Sequence, residues 1–390
     1  MKKLIRFCAA FVIALLVTLL VNAQNVPIRQ VSKQAEFECI RLLSSNKVVP
    51  PGQPDLYVTY HHVWTPDLKS YPFASGGLNL AFNTEGVGKE LVIVVAGGPG
   101  MPREYFQPAM SPLSRYATLV YYDRRADVLS HRPPHDYVTI SELADDLDTL
   151  RRTIGYRRVT LLAHSFGSAI ALNYALRYPE NVKRLILVGA SAFIEDPRQT
   201  EQRLTSSLTP EEAAALNRSE AQASGATMSC NTLLNRYRIF FPHYFNKPLE
   251  QNLSEANLYA AYIDALARKL SFVTSEGQFD VRSRLSEIKV PTLILAGKYD
   301  LVTPFDQVQE LARGIRSSRL AVMNHSGHFP FFEENFLFTE WVRQFIVGTA
   351  DLQDDLDIPQ QIASPGAGTT YSPMRLDYRP GASATTSRNN

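Results

Sequence analysis

The chain has 390 residues, 45% of them hydrophobic, with 40 Lys and Arg against 38 Asp and Glu. That length suits one large domain carrying an insertion, or two domains. The near balance of charge, with no concentrated basic run, argues against nucleic acid as a partner.

In chain order, the first element is a leader. Lys2, Lys3 and Arg6 are followed by an uncharged, mostly apolar run over 7–21, and Val21-Asn22-Ala23 offers small residues for cleavage before Gln24. Residues 1–23 therefore read as a secretory signal peptide. A spanning helix needs ~20 apolar residues, so the short run favours cleavage and export, periplasmic or extracellular, over a retained anchor. Only an uncleaved leader would tie the chain to a membrane. Cleavage removes Cys8 and leaves Cys39 and Cys230. These are read as isolated buried thiols, with a disulfide as the alternative.

Residues 24–55 are mixed, with the loop signal Pro50-Pro51-Gly52, and strand-like stretches follow at 56–64 and 78–82. Solid apolar runs then recur at 91–96, 118–122, 159–163, 185–188, 292–296 and 320–323. Short unbroken runs of this kind suit strands buried on both faces of a parallel sheet. Helical spacing lies between them. Ile140, Leu143, Leu147, Leu150 and Ile154 step by three and four before Gly155. A second helix covers 170–176 and stops at Tyr178-Pro179; Val308, Leu311 and Ile315 mark a third, and Trp341, Val342 and Phe345 a fourth. The alternation predicts an α/β core over 24–191 and 287–350, a mostly parallel sheet with helices on both faces.

Residues 192–286 interrupt this order with helical composition and an aromatic set: Tyr237, Phe240, Phe241, Tyr244, Phe245, Tyr259 and Tyr262. They are read as a helical cap over the sheet's C-terminal edge, where open α/β sheets bind ligands. A helical domain with its own core is the alternative. Residues 351–390, rich in Pro, Gly, Ser, Thr and Gln, read as a disordered tail.

The chemistry is carried by four loops. Residues 159–163 run as a strand into Ala163-His164-Ser165-Phe166-Gly167 and then a helix. A sharp strand-to-helix turn lifts a serine hydroxyl clear of the sheet, and small residues two before and two after it allow close approach. Ser165 is the candidate nucleophile. A hydroxyl needs a base, and the base an orienting acid. Asp300 lies in the loop after the strand-like segment over 292–296, and His328 follows the strand over 320–323, just before the last helix. Asp306 and His325 are the alternatives. The two nearby histidines lack a third ligand at zinc-site spacing, so no metal and no cofactor are expected. His164 is read as buried and structural. His61, His62, His131, His135 and His243 are read as surface or packing residues. A tetrahedral intermediate needs two aimed N–H donors. These are assigned to Phe166, after the nucleophile, and to Gly98 in the loop Gly97-Gly98-Pro99-Gly100, with Gly97 as the alternative.

Together these residues resemble the α/β-hydrolase superfamily, and more narrowly the proline iminopeptidase family, over residues 78–347. Ala96-Gly97-Gly98-Pro99-Gly100-Met101 matches that family's H-G-G-P-G loop except at its first position. Tyr122-Asp123-Arg124-Arg125-Ala126 is similar to its D-Q-R-G segment. The resemblance implies an α/β-hydrolase fold with a helical cap, and an aminopeptidase that acts on small-molecule or short-peptide substrates through an acyl-enzyme. Ala96, Ala126 and Leu301 depart from the pattern. Some members carry a Glu at the last of these, after the triad Asp, to bind the substrate amine. Other members use cap acids, for which Glu201, Glu220, Glu255 and Asp264 are available. A carboxylesterase or lactonase on the same triad is the alternative. A non-catalytic binding protein on a decayed scaffold is disfavoured by the intact Ser, Asp and His. Dehalogenase and epoxide hydrolase chemistry would need a carboxylate at position 165.

Overall fold

The computed structural model describes residues 70–98, 101, 103–125, 138–221, 230–246 and 279–348. The leader, the stretch 56–64, Cys39, His61, His62, His131, His135 and the tail lie outside the described residues. Cys230 opens a helix, but its side chain is also outside them.

Among the described residues, eight strands form one sheet: β1 (Tyr71–Ser75), β2 (Leu78–Glu85), β3 (Glu90–Val95), β4 (Ala117–Tyr122), β5 (Val159–His164), β6 (Val182–Val188), β7 (Thr292–Gly297) and β8 (Ser318–Met323). Their order is β1-β2-β4-β3-β5-β6-β7-β8. The β1–β2 and β2–β4 pairs are antiparallel, and every other pair is parallel. All six apolar runs predicted from the sequence are strands. β1 escaped that reading because Pro72 argues against a strand; as the sheet's edge, β1 tolerates a residue with no N–H to donate. The overlooked signal was Gly76-Gly77, whose φ values of +55° and +79° make the tight hairpin turn between β1 and β2.

Among the described residues, seven helices of ten residues or more frame the sheet and the insertion: α1 (Ile140–Thr153), α2 (Phe166–Arg177), α3 (Pro197–Ser207), α4 (Pro210–Ala221), α5 (Cys230–Phe240), α6 (Phe305–Gly314) and α7 (Asn335–Val347). α1 begins with a reciprocal cap. The Thr139 hydroxyl accepts from the Glu142 amide at 3.1 Å, and the Glu142 carboxylate accepts from the Thr139 amide at 2.9 Å. Between β3 and β4 lie three short helical turns, Arg103–Phe106, Gln107–Met110 and Ser111–Arg115. Their brevity and interleaved prolines left no helical period to read. Among the described residues, no helix is long and apolar enough to cross a membrane.

β3, β4, β5, β6 and β7 are buried on both faces, which is why they read as unbroken apolar runs. Ile93, Leu161, Leu185 and Ile294 face Leu147 of α1, Ile170 of α2 and Leu311 of α6. Val92, Leu162, Ile186 and Leu293 face the opposite layer, which holds Met110, Leu113 and Phe338 and Val342 of α7.

The insertion leaves and returns at one place. Phe193 bridges Asp280, the Ile194 amide donates to Phe279 O at 2.9 Å, and the Val281 amide donates to Ala192 O at 2.9 Å. Val281 and Leu285 belong to the core layer. The stretch 281–286, expected in the cap, therefore packs with the core, because the excursion closes at 279–281.

Candidate active site

The C-terminal ends of β3, β5, β6, β7 and β8 gather the predicted residues. Ser165 follows β5 with φ 52° and ψ −123°, and it is the only non-glycine with positive φ among the described residues. That conformation costs about 1–3 kcal/mol and persists only where the surroundings impose it. Here they do. The Ser165 amide donates to Val188 O at 2.9 Å, and the Ser165 carbonyl accepts from the Ser168 amide at 2.8 Å. A side chain at Gly167 would strike the carbonyls of Val95 and Ala96, so only glycine lets α2 start this close to β3.

Asp300 and His328 are both buried and meet at 2.8 Å between Asp300 Oδ2 and His328 Nδ1. A carboxylate can only accept, so Nδ1 carries the proton and Nε2 is left as the basic nitrogen. The other oxygen, Oδ1, accepts from the amides of Val302 and Thr303, each at 2.8 Å. Gly189 closes the far side: a Cβ there, at φ +52°, would lie 3.2 Å from His328 Nδ1. Asp306 and His325, the alternatives left by the sequence, are exposed.

The loop that holds His328 is tied down by groups with no sequence signature. Glu333 accepts from the Gly327 amide at 2.7 Å, and Glu334 accepts from the Ser326 hydroxyl at 2.6 Å. The insertion contributes as well. The His328 amide donates to Tyr244 O at 2.6 Å, and Asn246 Nδ2 donates to His325 O at 3.0 Å. Phe245 stacks on Phe329 with ring centroids 5.0 Å apart. Phe241, Tyr244 and Phe245 are buried and pack on Phe329, so these members of the aromatic set join the insertion to the His328 loop, and Phe240 is buried beside them. Tyr259 and Tyr262 lie outside the described residues. On the acid side, Arg203 of α3 pairs with Glu195 and donates to Leu301 O at 2.9 Å. His243 packs within the insertion, between Ser207 and Glu212.

The glycine loop after β3 is organised by Arg124. This guanidinium is only 1% exposed. It donates to Ala96 O at 2.8 Å, Gly97 O at 3.2 Å, Gly98 O at 3.1 Å and Met101 O at 3.1 Å. Its neighbours work elsewhere: Asp123 pairs with Arg103 at 3.0 Å, and Arg125 pairs with Asp146 at 2.7 Å. The Gly97 amide donates to Tyr105 Oη at 2.8 Å, which engages it away from any ligand, whereas Gly98 sits at φ +38°. Phe166 is the first residue of α2, where amides lack an intrahelical acceptor. Ala96, in place of the family's histidine, contributes its carbonyl to Arg124. Ala126 lies outside the described residues.

His164 is buried, and its imidazole is held well below its ordinary value, first by loss of hydration and second by the neighbouring His328. The unfolded chain therefore takes up a proton near pH 6.5 that the folded chain refuses. Its contribution to stability is full above about pH 6.5 and falls on acidification by up to about 1.4 kcal/mol per pH unit. Urea midpoints at pH 7 and pH 5 should show this loss, and His164→Gln should flatten the difference. An equal loss in both proteins would remove His164 as its source.

Two of the cap acids considered from the sequence are already engaged. Glu201 and Glu220 both pair with Arg236 of α5. Glu255 and Asp264 lie outside the described residues.

A family model for the alpha/beta hydrolase fold matches residues 90–335. The chain is 27% identical over 284 residues to a proline iminopeptidase of Saccharolobus solfataricus, covering 69% of this chain and 89% of that protein. The structure of the proline iminopeptidase of Mycobacterium smegmatis superposes with a TM-score of 0.59 at 21% identity, over 72% of this chain and 98% of that one. An esterase of Exiguobacterium antarcticum superposes with a TM-score of 0.53 at 24% identity, over 70% of this chain and 96% of that one. At those identities the two structures speak to the fold.

Proposed function

This chain belongs to the α/β-hydrolase family, and from that premise we propose that it is a serine hydrolase working through an acyl-enzyme. The observation that carries the reading is the buried Asp300–His328 pair at the sheet edge where Ser165 is held at positive φ. Ser165 Oγ attacks the substrate carbonyl while His328 Nε2 takes its proton. The oxyanion that forms accepts hydrogen bonds from the Gly98 and Phe166 amides. Collapse breaks the bond to the leaving group, which receives the proton from His328. Water, deprotonated by the same nitrogen, then releases the acyl group and regenerates Ser165. Labelling of the wild type by a fluorophosphonate, and its absence in Ser165→Ala, tests this step; an unlabelled wild type ends the reading.

For the substrate we infer an aminopeptidase of proline iminopeptidase type, which removes a small or cyclic N-terminal residue. The Gly97–Gly100 loop and the similarity to proline iminopeptidases support it. A substrate ammonium entering a pocket must be paired with a carboxylate. N-acetylating a good substrate is therefore expected to cost most of kcat/KM, because that carboxylate then loses its partner. Equal rates on free and acetylated substrates favour the second reading, a carboxylesterase or lactonase. Leu301 and the engagement of Glu201 and Glu220 on Arg236 are the observations on its side.

We also propose that the protein is exported, on the strength of its first 23 residues. N-terminal sequencing of the mature protein should begin at or near Gln24; Met1 on membrane-bound material would mean an anchor instead.

A further inference from the structure

Three bonds run between the glycine loop and the base loop beneath the nucleophile. The Gly97 amide donates to Tyr105 Oη at 2.8 Å, Tyr105 Oη lies 2.8 Å from His164 Nδ1, and His164 Nε2 lies 2.9 Å from His328 O. The two ends have only one possible sense, since an amide can only donate and a carbonyl can only accept. His164 Nε2 must therefore carry the proton that reaches His328 O. In the neutral ring that burial favours, Nδ1 accepts, so Tyr105 gives its hydroxyl proton to His164 and accepts from Gly97. The chain of bonds has one polarity from end to end, and it requires neutral His164. The depressed proton affinity of that buried imidazole agrees.

We propose that Tyr105 and His164 are positioning residues that hold the loop presenting Gly98 and the loop presenting His328 in fixed register. The inference rests on the serine-hydrolase reading, since it assigns a purpose to that alignment. The surroundings are built around the pair. Tyr105 is 1% exposed and stacks on Phe106 at 4.1 Å. The His164 ring packs 4.7 Å from that of His328. A Cβ on Gly97 would lie 2.7 Å from His164 Nδ1 and 3.0 Å from Tyr105 Oη, so glycine is what allows the backbone to reach them. A purely packing role for Tyr105 would need the ring and not the hydroxyl. The relay needs the hydroxyl, because without it the Gly97 amide is buried without an acceptor and Gly98 is no longer anchored on its N-terminal side.

Tyr105→Phe separates these roles, because it keeps the ring. Turnover of 4-nitrophenyl acetate and inhibition by phenylboronic acid, whose tetrahedral serine adduct resembles the transition state, are the readouts. Tyr105→Phe is expected to lower kcat by about tenfold or more with KM within about twofold, and to raise the phenylboronic acid inhibition constant by a similar factor. His164→Gln keeps a donor and an acceptor and is expected to retain most of the turnover. His164→Leu keeps neither and should behave like Tyr105→Phe, which also covers the case that the tyrosine variant fails to fold. Unchanged kcat and unchanged inhibition in folded Tyr105→Phe, beside a wild type that binds phenylboronic acid and reacts with a fluorophosphonate, overturn the relay alone. A wild type that does neither overturns the hydrolase reading and the relay with it. A parallel rise in KM with unaltered kcat would show that Tyr105 serves substrate binding, and would also overturn the proposal.

Discussion

Ser165→Ala is expected to lower turnover by about 10⁴-fold or more while thermal unfolding stays within a few degrees of the wild type. In the proposed mechanism the hydroxyl supplies the bond-forming oxygen, and alanine has no atom to replace it. Alanine keeps the Cβ, so the strain at φ 52° remains and stability should barely move. Glycine at the same position would relieve part of that ~1–3 kcal/mol, so Ser165→Gly should be equally inactive yet melt higher. His328→Ala should match the loss in turnover. Asp300→Asn should also be severe, because an amide can hold the imidazole in the wrong tautomer. Activity assays and calorimetry on the same preparations check all four. Near wild-type turnover in Ser165→Ala or His328→Ala would remove the triad, and damage from Asp306→Asn in place of Asp300→Asn would reassign the acid.

Arg124→Met is expected to affect both stability and catalysis. The guanidinium satisfies four backbone carbonyls within one loop. Truncation leaves buried acceptors without partners at about 1–3 kcal/mol each before relaxation, so a net loss of roughly 3–5 kcal/mol is reasonable. The loop whose carbonyls Arg124 holds presents the Gly98 amide, and removing one oxyanion donor typically costs about 10²–10³ in kcat. Arg124→Lys should recover little of either. A single ammonium lacks the planar fork that reaches carbonyls on both sides. Denaturation midpoints and kcat measured on both variants check this. A stable Arg124→Met protein with full turnover would show that the loop holds itself.

Much of the core and the candidate triad could be read from the sequence, because their signals are local. Each strand buried on both faces is a short apolar run, and Ser165, Asp300 and His328 each sit just beyond one, in the chain order their roles require. In the sequence, Asp306 lies past Pro304, near the next helix, which favours Asp300 as the acid. In the structure the buried Asp300 carboxylate meets His328 Nδ1 at 2.8 Å and is fixed by the Val302 and Thr303 amides, whereas Asp306 is exposed. What could not be read was the support. Arg124 acts on backbone carbonyls more than 20 residues away, and every residue has such a carbonyl, so no pattern marks the partner. The same holds for Tyr105 and for Glu333 and Glu334, whose partners are backbone amides or other residues that the fold brings close. The resemblance did single out the segment from Tyr122 to Ala126, but without indicating which of its side chains reaches the glycine loop.

The contact between Tyr244 and His328 bears on how such a protein could be rebuilt. Residues 192–194 and 279–281 lie side by side, so the insertion looks like a part that could be cut out and replaced by another to alter specificity. Yet the transplant would remove the carbonyl that receives the His328 amide, and with it Asn246 from His325. The His328 loop would lose that support. In this molecule the insertion and the loop that carries His328 are bonded together, so a graft boundary that spares that loop leaves residues 240–246 with the recipient.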